Sequence, residues 1–394
     1  MGNTDGQAAA AKDLAWIQGR LQDAIALEYS TQPLYLAAMF SLKVQNYTAY
    51  NWIRAVVMEE MVHMGIAANI LAAIGGAPQI AKLCVTFPST GLPGGAEPDL
   101  VVGPARYSPS QLENFLRIEC PSFLLDERRR DQPETTISGF YSELREAIVA
   151  NRSAVNAAAV AVAKKGPPPS QVGDNIGLPR ISAVDGDIVE PLCAAIQEIV
   201  EQGEGTAHGS LITGPRSEGE KSHFVRFAEL YFGREYEHPH GLPPPTRDEL
   251  KARFSGMPIH PPGVINTLAV PKDAYATILA IDPNAAAAQA DLDAFDTQLS
   301  AILAQLDTVW NGPPDGSWKT LGGAVAVMMK LRVISCFNVE LHEIPRAAIA
   351  QLRHLYPDEY DYLDHYTDLK APCFYGPRFI NKNCAPGGQS GGSP

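Results

Sequence analysis

The chain is short of several things, and each shortage closes off a class of protein. It has no uninterrupted apolar run near the roughly 18 residues that a membrane helix needs. Its first eleven residues hold no basic stretch followed by an apolar one, so they do not read as a secretion signal. Gly2 follows Met1, but position 6 is Gly rather than Ser or Thr, and the myristoylation pattern fails. Basic clusters are scarce. The formal charge is −13 and Arg128-Arg129-Arg130 is the only basic run, so no nucleic-acid partner is expected. Flanked by acids, that run reads as a solvated turn. The six cysteines (Cys84, Cys120, Cys193, Cys336, Cys373 and Cys384) include no C-x-x-C pair. Scattered thiols of this kind suit a reducing compartment, which makes free thiols and a cytoplasmic location the expectation. No repeat of fixed period is visible.

What the chain does have is helical periodicity. With 45% hydrophobic and 19% charged residues it reads as globular. Ala11 to about Val44 carries an apolar stripe of Leu14, Ile17, Leu21, Ile25 and Leu36, with Pro33 inside it, where a kink or restart is expected. A second helix, from about Thr48 to Ile74, stops at Gly75-Gly76. The tight loop between them makes the two antiparallel neighbours. Counted from Asn46, Glu28 lies 18 residues back and Glu60 lies 14 on. At about 1.5 Å per residue the two differ in height by about 6 Å, so their carboxylates can meet.

Further helices are expected at about 109–118, 137–165, 190–202, 218–232, 284–310, 321–342 and 346–355. The stretches 80–108, 166–188 and 237–265 read as long loops, with short strands an option in the first. The expected division is a bundle over 12–235 with an insertion at 80–188, a helical extension over 236–380 packed on it, and a disordered Gly/Ser-rich tail over 381–394.

Two Glu-x-x-His pairs fall on helix-like segments: Glu60 with His63, and Glu220 with His223. Residues three apart share a helix face, so each pair can bind one ion. Two such helices, each facing a helix that supplies a further Glu, make the dinuclear site of a ferritin-like four-helix bundle. Glu28 is the candidate from the first helix and Glu201 from the third, with Glu198 and Glu204 as alternatives. Glu59 replaces Glu60 if the second helix rotates. Glu235-x-x-His238 and Glu237-x-x-His240 match as well, but Gly233 and Pro239 deny them a continuous helix. Tyr29 and Tyr35 stand close enough in sequence to lie near the site. Carboxylates with imidazoles and no thiolate suit iron, one or two ions, with manganese as the alternative. Such a site can reduce dioxygen beside a small-molecule substrate. Metal storage without turnover and a non-catalytic scaffold are the competing readings, and self-association is left open.

Several stretches resemble the iminophenyl-pyruvate dimer synthase family. They are Leu27-Glu28-Tyr29-Ser30-Thr31-Gln32-Pro33-Leu34-Tyr35-Leu36 and Glu59-Glu60-Met61-Val62-His63-Met64 with Ala68-Asn69-Ile70-Leu71 beyond it. Ile118-Glu119-Cys120-Pro121, Ile199-Val200-Glu201-Gln202-Gly203-Glu204-Gly205 and Gly376-Pro377-Arg378-Phe379 extend the likeness. It implies a ferritin-like bundle, iron held by Glu28, Glu60, His63, Glu201, Glu220 and His223, and oxidative coupling of amino-acid-derived imines. Proteins of that family in bisindole pathways are much longer, and this chain resembles their ferritin-like portion.

Overall fold

The computed structural model of the chain describes residues 12–384 other than 44–46, 174–177, 206–210, 212–219, 238–243, 270–273, 315–316 and 356. Helix α1 (Leu14–Phe40) starts at Asp13, whose side chain accepts the Trp16 N–H. Its first half buries a stripe of Ile17, Leu21, Ala24 and Ile25; from Leu27 to Phe40 every residue is buried. A helix enclosed on all sides is a core helix. Pro33 lies inside it without restarting it. The proline has no N–H to offer the Tyr29 carbonyl one turn back. Helix α2 (Tyr47–Ala73) runs antiparallel to α1. Gln18, near the start of α1, donates to the Ile74 carbonyl just past the end of α2, while Thr31 meets Glu60 midway.

The excursion after α2 holds one two-stranded antiparallel ribbon, β1 (Ser89–Thr90) with β2 (Val101–Val102). Helix α3 (Pro109–Ile118) follows, capped by Ser108. The basic run forms a short helix, α4 (Glu127–Asp131), rather than a turn, with Arg128 and Arg130 exposed as expected. Arg129 alone turns inward to the fully buried Glu97, which Arg117 also meets at 2.8 Å. One helix expected over 137–165 is two, α5 (Ile137–Ala150) and α6 (Arg152–Lys165), divided at Asn151. Helix α7 (Val189–Glu204) packs on α2 and α5, and α8 (His223–Phe232) packs on α2, α3 and α7. The bundle is therefore α1, α2, α7 and a short α8, walled by α3 and α5.

Among the described residues six more α-helices follow: α9 (Arg247–Leu250), α10 (Ala274–Ile281), α11 (Ala285–Asn311), α12 (Ser317–Phe337), α13 (Arg346–Leu355) and α14 (Pro357–Tyr366). Of these, α9, α10 and α14 fall where the sequence pattern shows none. Leu299, Ile302, Leu306 and Trp310 of α11 share one core with α1 and α2, so the main core runs across position 236. Trp310 Nε1 donates to Asn69 Oδ1 at 2.9 Å, and Asn69 also bonds the backbone of Val172 and Pro179. One side chain thus ties α2, the 166–188 loop and α11 together. A smaller core gathers Leu268, Tyr275, Ile278, Leu292, Ile344, Leu352 and Tyr375.

Two expectations about the end of the chain change. Cys84 and Cys384 form a disulfide, so two of the six thiols are not free. Residues 381–384 are also anchored, since Asn381 donates to the carbonyls of Ala81 and Leu83. The rest of the expected disordered tail, 385–394, lies outside the described residues. Among the described residues two helices reach the length and apolarity of a membrane span: Thr48–Ala73, whose most apolar 18-residue window is 72% buried inside the protein, and Lys319–Leu341, whose window is 24% buried.

Candidate metal centre

Six buried side chains converge between the helices: Glu28 from α1, Glu60 and His63 from α2, Glu119 just after α3, Glu204 at the end of α7, and His223 at the start of α8. His223 is brought in because Ser222 caps α8 and its hydroxyl accepts the Val225 N–H, which makes His223 the first helical residue.

The two histidines present the same edge to the cluster. His63 Nδ1 is 3.6 Å from both Glu28 Oε2 and Glu60 Oε1. His223 Nδ1 is 3.0 Å from Glu60 Oε1 and 3.5 Å from Glu119 Oε2. The rings stack with centroids 5.3 Å apart. Their outer edges are occupied: His63 Nε2 is 2.7 Å from Gln202 Oε1, and His223 Nε2 is 2.9 Å from Glu59 Oε2. Both of those oxygens only accept, so each Nε2 carries the proton and each Nδ1 faces inward. Although Glu60 Oε1 is close to His223 Nδ1, the two are not aligned, and that buried nitrogen has no hydrogen-bond partner.

The carboxylates are arranged the same way. Thr31 Oγ1 donates to Glu60 Oε2 at 2.6 Å, Tyr141 OH donates to Glu28 Oε1, and Tyr35 OH donates to Glu119 Oε1. Each carboxylate therefore has one oxygen clamped by a hydroxyl and the other turned toward an Nδ1. Ligand atoms about 2.1 Å from one ion stand about 3.0 Å apart at right angles and about 3.4 Å apart at the tetrahedral angle. The spacings here match those values, and an orphaned inward nitrogen completes the fit. Glu60, His63 and His223 offer ligand atoms that all lie within 4.8 Å of one another, with Glu28 beside His63 and Glu119 beside His223.

The charge state agrees. Burial opposes the charge of His63, yet Glu28 and Glu60 outweigh it and lift its pKa to about 10. Burial likewise opposes His223, but Glu119, Glu59 and Glu60 raise it well above its ordinary value. Burial would raise Glu60, but the two histidines pull it far down. Glu28 is raised, chiefly by burial. Burial, with Glu119 beside it, pushes Glu204 up to about 8. A buried group of carboxylates this dense draws in protons where it has no cation. The cavity between them has about 20 Å³ of room, enough for a water-sized body. Gly203 matters here, because a Cβ at that position would stand 3.1 Å from Glu119 Oε2.

Of the residues the sequence singles out, the structure gathers Glu28, Glu60, His63, His223 and the alternative Glu204. It does not bring Glu201 or Glu198 to the cavity. The buried stripe of α7 is Val189, Leu192, Ile196, Ile199 and Gly203, and Glu201 sits between the last two on the opposite side, accepting from Gln197 at 3.1 Å. Glu220 is exposed and precedes α8 by three residues, so the i,i+3 rule does not apply to it. Its Oε2 instead stands 3.8 Å from Arg226. Glu59 does not replace Glu60; it backs His223. Glu119 and Gln202 lie in stretches that carry the family resemblance, and helix spacing alone does not single them out. Tyr35 reaches the cluster, while Tyr29 faces α11 on the other side of α1. Glu235 and Glu237 are non-helical, and His238 and His240 lie outside the described residues.

Fold and site together define a helical bundle holding a candidate Glu/His metal centre. The ferritin-like family model matches residues 21–232, and the chain belongs to that family. No curated protein matches it. The crystal structure of a ferritin-like protein from Caulobacter vibrioides, at 1.95 Å resolution, is 18% identical over 81% of this chain and 96% of that one. The TM-score between the two is 0.49.

Proposed function

We propose that the chain is a non-haem iron oxidoreductase with two ion positions sharing Glu60, acting with dioxygen on a small substrate. The observation that carries this is the clamping of Glu28, Glu60 and Glu119, each held by one hydroxyl so that its free oxygen faces a histidine Nδ1. Such pre-set ligands suit a centre that must keep its geometry through turnover. Iron bound there would supply redox chemistry toward dioxygen. Glu28, Glu60, His63, Glu119 and His223 would hold it, with Glu204 in reach. Leu27, Ile118, Ile137, Ile199 and Val200 line the rest of the cavity and keep bulk water out.

The resemblance to the iminophenyl-pyruvate dimer synthase family supports an amino-acid-derived substrate and oxidative imine coupling. The cavity adds a restriction. Among the described residues no Lys or Arg lines it. A substrate carboxylate would find no cation there except the ions, so the part that reaches them would be slim and uncharged. The tightness of the cavity favours a second reading, metal holding without turnover. An anaerobic ferrous titration followed by oxygen separates the two. The enzyme reading expects saturation near two irons per chain and a short-lived absorbance change. Ferric iron accumulating well beyond two per chain would sink it.

A further inference from the structure

The two halves of the centre match in their inner ligands. Each has one histidine Nδ1, the shared Glu60 Oε1, and one carboxylate clamped by a tyrosine, Glu28 with Tyr141 or Glu119 with Tyr35. They differ one layer out. His223 Nε2 is backed by Glu59, a carboxylate that Arg226 Nη1 holds at 2.8 Å. His63 Nε2 is backed by the neutral amide oxygen of Gln202. An ionised acceptor draws the N–H proton harder than an amide does, and the opposite nitrogen becomes the better donor to a metal.

We infer that the two ion positions are unequal, that the His223 position fills first, and that Glu59 and Gln202 are the positioning residues that set the difference. This rests on the metal-centre reading above and deepens it. Arg226 has a part, because it fixes the carboxylate that would otherwise turn to solvent. Its other contact, Glu220 at 3.8 Å, puts the end of this chain of charges on the exposed surface. Glu204 lies beside Glu119 on the His223 side, and burial pushes its carboxyl up to about 8. It is untouched by the substitutions below, so it cannot account for their effects.

The test uses the full chain, stripped of metal and titrated anaerobically with Co²⁺, read by calorimetry and by visible absorption of the bound ion. Wild type is expected to take two Co²⁺ in steps separated by about tenfold or more. Glu59→Gln should weaken the first step by about ten- to a hundredfold, leave the second within about threefold, and shift the absorption of the first ion only. Gln202→Glu should do the reverse, tightening the second step and narrowing the gap. Opposite signs from two substitutions one layer out are what a merely structural role does not produce. If Glu59→Gln fails to fold by circular dichroism, Gln202→Glu carries the test alone. Two equal steps in wild type, or both variants weakening both steps alike, overturn the inference while leaving the metal centre standing. Failure of wild type to bind Co²⁺ stoichiometrically overturns the centre itself.

Discussion

Tyr35 and Tyr141 are buried phenols that each spend their only proton on a carboxylate of the cluster. Removing that hydroxyl keeps the ring and its packing but frees the carboxylate to rotate. Tyr141→Phe and Tyr35→Phe are expected to lower metal affinity by about tenfold each with the helical signal unchanged, measured as iron per chain after dialysis against a weak chelator. His63→Ala and His223→Ala should go further and abolish stoichiometric binding, whereas replacing His238 and His240 together should leave it near wild type. Glu28, Glu60 and His63 were legible because they lie on two long antiparallel helices, where spacing and loop position fix both face and height. Glu119 was not, because it follows the end of α3, where no periodicity applies and its partners, Tyr35 and His223, are distant in sequence. From sequence, Glu201 stands ahead of Glu204 because it matches His223 in height and because Glu204 follows Gly203, where a helix is expected to stop. The burial stripe of α7 turns the one away and the other in, and Gly205, at φ 100°, ends the helix just after Glu204.

At the scale of elements, the joint at Asn69 carries more than its size suggests. Its amide serves Val172, Pro179 and Trp310, all in or near the core. Asn69→Leu keeps the volume and strands the Trp310 N–H and the Val172 N–H, each at about 1–3 kcal/mol. The denaturation midpoint should fall accordingly, with α11 loosening first, as amide exchange in α11 would show. The long helices were readable from their stripes, and the ends of α2, α3 and α11 fall within a few residues of expectation. What the pattern could not show was where helices begin for non-local reasons. α8 starts five residues later than its periodicity suggests, at the Ser222 cap, and this removes Glu220 from the face that carries His223. The division of 137–165 at Asn151 is likewise invisible to a composition that stays helix-forming throughout.

For the whole molecule, the cluster ties stability to pH and to metal. In metal-free protein His63 titrates near 10, above its unfolded value near 6.5, so its contribution is full below about 6.5 and fades as pH climbs toward 10. Glu204, near 8 when folded, gives a contribution that fades between its ordinary 4.5 and about 8. Glu59, held at about 2 by His223 and Arg226 despite burial, acts in the other sense and loses its contribution as pH drops from about 4.5 toward 2. The melting temperature of chelated protein should therefore peak at mildly acidic pH and fall through neutrality. With metal the slope should flip, because the ion displaces protons from both histidines and binds more tightly as pH rises. Thermal scans with and without chelator across this range check both. The Cys84–Cys384 bond contributes separately: Cys384→Ser should lower stability by about 2–4 kcal/mol, read from the denaturation midpoint under non-reducing conditions.

That same bond sorts the chain by how it would carry a pull. The two cysteines are 300 residues apart, and everything from α3 to α14 lies on the ring they close. Tension applied from outside the ring enters through α1 and α2, crosses from sulfur to sulfur, and leaves past Cys384. The ring itself bears none of it along its backbone. Glu28, Glu60 and His63 stand on the loaded stretch, while Glu119, Glu204 and His223 stand on the slack one. An ion held among them would be the rivet between two pieces of backbone that force tends to draw apart, and drawing α1 and α2 out of the bundle would have to break that rivet first.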